Sequence, residues 1–203
     1  MSELFSIQLQ NRQQQGRDGV WLDLPTTTEQ VQAALRQIGI SSDNPQGLFI
    51  SGYFAEEEKR FAIPYNMVLA SNVDELNFLA ARLETLSAGE RAELNAALQA
   101  PQSEFSSIGR ITDFPENVDY YVHLPDVHGP AQLGDYYLNR SGMVDMPEEW
   151  KGGIDTAQFG RYVAQQEQGV FTEYGYLVKS GDAWQKVHEG QPVPEEYRVL
   201  SFP

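Results

Sequence analysis

The chain contains no cysteine, which excludes disulfides, thiolate nucleophiles and cysteine-ligated zinc or iron–sulfur sites together. That composition suits a reducing compartment. Long hydrophobic runs are missing too. The opening MSELFSIQLQNRQQQG has neither a basic flank nor an apolar stretch of signal-peptide length, and no later window is apolar enough to span a bilayer. The expectation is a soluble, unsecreted, cytoplasmic protein with no membrane partner. Positive charge is scarce: 14 Lys and Arg stand against 29 Asp and Glu, a net of −15. Such a surface repels phosphate, so direct binding to nucleic acid is not expected.

Apolar residues are not lacking. They make up 41% of the 203 residues, with 10 Phe and 10 Tyr, enough for one sizeable core or for two or three small ones. From Leu4 to Asn11 and from Gly19 to Leu24 polar and apolar residues alternate, as half-buried strands do, with a loop from Asn11 to Gly19. PTTTEQVQAALRQIGI then supplies Pro25 near a helix start, Thr26 to Thr28 as candidate caps, Val31, Ala34, Leu35 and Ile38 at helical spacing, and Gly39 as a stop. A third strand, GLFISGYF, completes a small α+β unit. Between Asn72 and Ala100 the pattern changes to two helices. The first carries Val73, Leu76, Leu79, Ala80 and Leu83 on one stripe, and the second opens on a Ser87-to-Glu90 capping box.

Beyond Pro101 the pattern predicts a short helix in SSIGRI, an aromatic strand in VDYYVHL and a helix in AQLGDYYLNRSG. The stretch DTAQFGRYVAQQEQGVFTEYGYL follows. It offers Asp155 as an N-cap with Gln158 three residues on, a face of Phe159, Tyr162 and Val163, Gly169 as the exit, and then one strand over GVFTEYGYLV. Phe159, Tyr162 and Phe171 are expected in a core. Gly160 at mid-helix, at a cost of roughly 1 kcal/mol relative to Ala, points to a close packing contact.

Recognisable chemistry is sparse. His123, Asp126 and His128 in HLPDVH have types that ligate metals, but the intervening proline keeps them off one helical face and His188 is distant in sequence. A strand-edge His and a loop His are the favoured reading, so no metal is expected. No nucleophile elbow, H-E-x-x-H pair, phosphate-binding loop or dinucleotide fingerprint occurs, and no cofactor is implied. With 29 acids, neighbouring carboxylates arise by chance, so a paired-carboxylate hydrolase is the weakest reading. The sequon at Asn139 has no meaning without secretion. The run Glu56-Glu57-Glu58-Lys59-Arg60 reads as a solvated loop.

Acidity without catalysis suggests a physical role. Residues 1–70 sum to −3, 71–160 to −10 and 161–203 to −2, so two thirds of the excess lies in the middle. Duplex DNA carries about one negative charge per 1.7 Å of axis, so two such chains would match the formal charge of roughly 50 Å of duplex. A protein displaying its carboxylates in this way competes for a basic DNA-binding groove. The bland alternative is acidity for solubility or salt adaptation.

Certain residues carry a resemblance. D-x-x-x-[FY]-G-R at Asp155, Phe159, Gly160 and Arg161, followed by GVFTEYGYL, resembles the C-terminal signature of the ArdA-type antirestriction proteins. GYF at 52–54, NVDELNFLA at 72–80, FSSIGRITDFPENVDYY at 105–121 and LGDYYLNRSG at 133–142 match in family order, and KSGDAW and PEEYRVL resemble the longer members. One departure is FGRYVAQQEQ, where only Glu167 is acidic in a helix that many relatives load with acids.

The resemblance implies a non-enzymatic DNA mimic. Its expected fold is an elongated α+β chain of three small domains, with antiparallel sheets at both ends and a helical middle. In this chain they fall at 1–70, 71–103 and 104–203. The implied protein is a homodimer that fills the DNA-binding groove of type I restriction-modification enzymes. The candidate phosphate substitutes are the acids of the most negative span: Asp74, Glu75, Glu84, Glu90, Glu93, Glu104, Asp113, Glu116, Asp119, Asp126, Asp135, Asp145, Glu148, Glu149 and Asp155. The alternative is an acidic adaptor that binds a basic protein partner.

Overall fold

The computed structural model describes residues 4–14, 18–57, 60–101 and 103–203. In chain order the elements are β1 (Phe5–Asn11), β2 (Val20–Leu24), α1 (Thr28–Gln37), β3 (Leu48–Phe54), α2 (Tyr65–Leu69), α3 (Val73–Glu84), α4 (Ala88–Gln99), α5 (Ile108–Thr112), β4 (Tyr121–Leu124), α6 (Pro130–Asp135), α7 (Glu148–Lys151), α8 (Thr156–Glu167), β5 (Val170–Thr172) and β6 (Gly175–Lys179). Helices and two small antiparallel sheets thus make a mixed α+β protein. They divide into two compact units. Met1–Ser87, Phe105–Glu116 and Gln185–Pro203 form the first, and Ala88–Glu104 with Asn117–Trp184 form the second.

The first unit is built on a sheet of order β2-β1-β3. Strict alternation along β1 buries Phe5, Ile7 and Leu9 on one face. A bulge interrupts the β1–β3 pairing between Gln8 and Leu9, so the partner register passes from Gly52 to Ile50. Helix α1 begins as the sequence predicts. Thr27 accepts the Gln30 amide, the Gln30 side chain bonds back to the Thr27 backbone, and Gly39 follows the last turn with φ +67°. Asn11 donates its side-chain amide to the carbonyls of Ile38 and Gly39, tying the helix end to the central strand.

Helix α3 presents its predicted stripe, with Val73, Leu76, Leu79, Ala80 and Leu83 all buried. A fully buried leucine stabilises by about 2 kcal/mol relative to an exposed one, so this stripe is a main hold on the core. The C-terminal segment returns to the same helix. Asp74 accepts the amides of Val199 and Leu200 at 2.7 Å, Asn77 donates to the carbonyl of Tyr197, and Tyr197 packs on the Phe78 ring.

In the second unit the sheet order is β4-β6-β5, with α4 against β6. Helix α3 belongs to the first unit and α4 to the second. Helices α6 and α8 pack closely, and glycines make this possible. A Cβ on Gly160 would lie 1.8 Å from the Pro130 carbonyl oxygen, and one on Gly134 would lie 1.9 Å from that of Thr156. The close contact expected at Gly160 is therefore present. Val127, Leu133 and Tyr176 form the buried centre, flanked by half-buried Val163 and Phe171.

Several local expectations are corrected. GVFTEYGYLV is not one strand but the hairpin β5–β6, with Thr172 paired to Gly175 across Glu173 and Tyr174. The Thr172 hydroxyl organises the turn by accepting the Tyr174 amide and donating to the Gly175 carbonyl. The strand expected over VDYYVHL begins only at Tyr121, because Val118–Tyr120 is a 3-10 turn. AQLGDYYLNRSG divides into α6 and a π-helical turn at Tyr136–Arg140. Gln168, in the left-handed region at φ 57°, closes α8 one residue before Gly169. Tyr162 is 60% exposed rather than in a core, while Phe159 and Phe171 are half-buried. The Asn11–Gly19 loop includes residues 15–17, and the acidic run at 56–60 includes Glu58 and Lys59; these five lie outside the described residues. Glu56, Glu57 and Arg60 are exposed.

Candidate functional site

The fifteen candidate acids do not share one environment. Asp113 is wholly buried and accepts the amides of His188 and Glu189, at 2.6 and 3.2 Å. It sits just past α5 and fastens the returning C-terminal segment. Asp74 does similar work from the first turn of α3. Among the half-buried acids, Glu116 is paired with Arg82, Glu104 with Lys179 and the Tyr120 hydroxyl, and Asp135 with Arg140 and Asn139. Glu75, Glu84 and Glu90 are also half-buried.

Glu93 differs from all of these. Burial, reinforced by the nearby charges of Glu90 and Asp119, pushes its carboxyl up to about 8, and its Oε1 is buried with no hydrogen-bond partner. Near neutrality it is largely protonated and contributes little charge.

The exposed members are Asp119, Asp126, Asp145, Glu148, Glu149 and Asp155, and all six belong to the second unit. Of these, Glu148 pairs with Lys151 at 2.6 Å, and Asp155 caps α8 by accepting the Gln158 amide at 3.0 Å. The second unit holds 13 acids against 5 Lys and Arg, and three of those bases, Arg140, Lys151 and Lys179, are already in ion pairs. What it presents to solvent is therefore mainly negative.

Glu167 is a carboxylate that sequence reasoning passed over. It accepts the hydroxyls of Tyr137 and of Tyr176, the latter at 2.9 Å, and so locks the end of α8 onto the core. Burial and the adjacent carboxylate raise both tyrosines well above their ordinary range. A lone Glu in a glutamine run gives no local signal of two tyrosine partners 30 and 9 residues away.

His123 approaches the Tyr174 carbonyl at 2.7 Å from the edge of β4, and His128 is exposed in a loop. No group of three or more metal-ligating side chains forms among the described residues, and none of their helices is long and apolar enough to cross a membrane. The model of a family described as antirestriction protein (ArdA) matches residues 15–178, about four fifths of the chain. No curated protein matches it.

Proposed function

We propose, from the premise that the chain belongs to the ArdA family of antirestriction proteins, that it inhibits type I restriction-modification enzymes by occupying their DNA-binding groove in place of duplex. Mimicry of B-form DNA by carboxylates is the mechanism, with no chemistry performed on a substrate. The observation that carries this reading is the second unit's excess of 13 acids over 5 Lys and Arg, three of those bases already in ion pairs, with Asp119, Asp126, Asp145, Glu148, Glu149 and Asp155 exposed.

A groove that binds duplex is lined with Lys and Arg and gains affinity by releasing counterions. A carboxylate surface offers that groove charge of the same sign, and its attraction is likewise screened by salt. Asp113 and Asp74 then act as scaffold, Glu93 is nearly neutral, and the exposed six with Glu84 and Glu90 are the working phosphate substitutes. The proposed state is a cytoplasmic homodimer carrying twice the single-chain charge of −15.

Competition tests this directly. A type I enzyme bound to labelled duplex is titrated with the protein at low and at moderate salt. Displacement near stoichiometric amounts that weakens as salt rises is the expected result. No displacement at either salt would refute mimicry and bring forward the reading of an acidic adaptor for a basic partner.

A further inference from the structure

The first unit contains a cavity of about 660 Å³ between α2, α3, α5 and the returning segment near His188. That volume is ample for a side chain or a small ligand. Glu75 is the acidic residue in its lining, and no Lys or Arg lines it among the described residues. Glu75 stands in the first turn of α3, where its backbone amide is taken by the Asn72 cap, and its carboxylate has no cation within ion-pairing distance among the described residues. Asn66, Ser106 and Gln191 add neutral groups that accept hydrogen bonds, and Phe78, edge-on to His188 at 4.9 Å, supplies an apolar wall.

We propose that this cavity is a receptor for one arginine side chain, with Glu75 taking the guanidinium and Phe78 and Met67 flanking its methylene stem. A half-buried carboxylate with no paired side-chain cation among the described residues, set among neutral acceptors, favours a guanidinium over other cations. The planar fork carries five donors to distribute, is weakly hydrated, and pairs with a carboxylate in two parallel bonds, whereas a strongly hydrated ammonium loses more on entry. The apolar wall suits the stem of either side chain and so leaves the choice to the head group. Assigning that arginine to the restriction enzyme's DNA-binding groove rests on the function proposed above. Capture of a guanidinium by the pocket does not.

The test uses the full chain, labelled with ¹⁵N and titrated with N-acetyl-arginine methylamide, its lysine counterpart and the citrulline counterpart, which keeps the shape and lacks the charge. Saturable shifts confined to amides around Glu75, Ser107, Gly109 and Gly190 are expected with arginine. Lysine should bind several-fold more weakly and citrulline should give no saturation. Glu75→Gln should weaken arginine binding by roughly tenfold or more, as befits loss of a charge-assisted pair, and Asn66→Leu by a smaller factor, with spectra elsewhere unchanged. Shifts scattered over all acidic surfaces, or lysine and citrulline binding as well as arginine, would overturn the proposal. If the protein displaces the enzyme from DNA yet shows no arginine site, the pocket proposal fails while mimicry stands. If arginine binds without any displacement, the pocket stands and the enzyme as its partner is refuted.

Discussion

Replacing Glu93 with glutamine should stabilise the protein above pH 8 and leave it nearly unchanged at pH 4. The carboxyl titrates near 8 in the folded chain against an ordinary value of 4.5. Between those values the folded state holds a proton that the unfolded state has released. Stability therefore falls as pH rises through this window, and the loss is complete above about 8. Full conversion of the shift would give about 5 kcal/mol. Glu93 is only half-buried and shares its field with Glu90 and Asp119, so solvent screening reduces the expected penalty to about 2 kcal/mol.

Glutamine keeps the shape and removes the charge. Urea unfolding at pH 8.5 should show a gain of about 2 kcal/mol for Glu93→Gln, or a rise in Tm of roughly 4–8 °C. At pH 4, where the unfolded carboxyl is mostly protonated too, the two proteins should agree within about 0.5 kcal/mol. A gain of equal size at both pH values, or a loss at pH 8.5, would refute the argument that an ionised Glu93 is held against its preference. Direct titration of the Glu93 carboxyl carbon by NMR checks the same point, and a midpoint below 5 would contradict it.

Three further outcomes follow from the packing and the charge. Gly160→Ala places a methyl 1.8 Å from the Pro130 carbonyl oxygen, so α6 and α8 must part. Urea unfolding should show a net loss of about 2–3 kcal/mol despite the better helix propensity of alanine. Asp113→Ala strands the amides of His188 and Glu189 in a buried site. It should cost about 3 kcal/mol by the same measurement, whereas Asp126→Ala at an exposed loop should cost less than about 0.5 kcal/mol. In the competition titration, joint reversal of Asp145, Glu148 and Glu149 to lysine takes the net charge from −15 to −9 and should weaken displacement by roughly tenfold at moderate salt, while each single reversal changes it by about twofold. One single reversal abolishing displacement would point instead to a local docking site.

Local structure was widely legible from the chain. The Thr27 and Asp155 caps, the Gly39 stop and the stripe on α3 each depend on residues within about two turns of one another, and the structure contains them all. The β5–β6 hairpin was misread because GVFTEYGYLV is nearly all strand-forming. Its turn depends on Thr172 bonding across Glu173-Tyr174, a pattern with weaker punctuation than Asn-Gly or Pro-Gly. Tyr162 was expected in a core because helical spacing marks a face without saying what covers it, and nothing in its own unit buries that ring. Glu93 gave no sign at all, since its neighbours Glu90 and Asp119 look alike in sequence and are solvated differently.

The sequence by itself determined the mixed α+β character, most element positions, the large negative charge and, through motifs spread over most of its length, the antirestriction family. These properties are local or additive, and each can be read from a short window or a sum. Tertiary structure alone decided which acids face water and which brace the interior. It buried Asp113 against amides 75 and 76 residues away, paired Gly160 with Pro130 across a helix crossing, and sent α3 and α4 to different units. The physical reason is that a carboxylate's charge is fixed by its solvation and partners, and those are supplied by segments that meet only when the chain has folded.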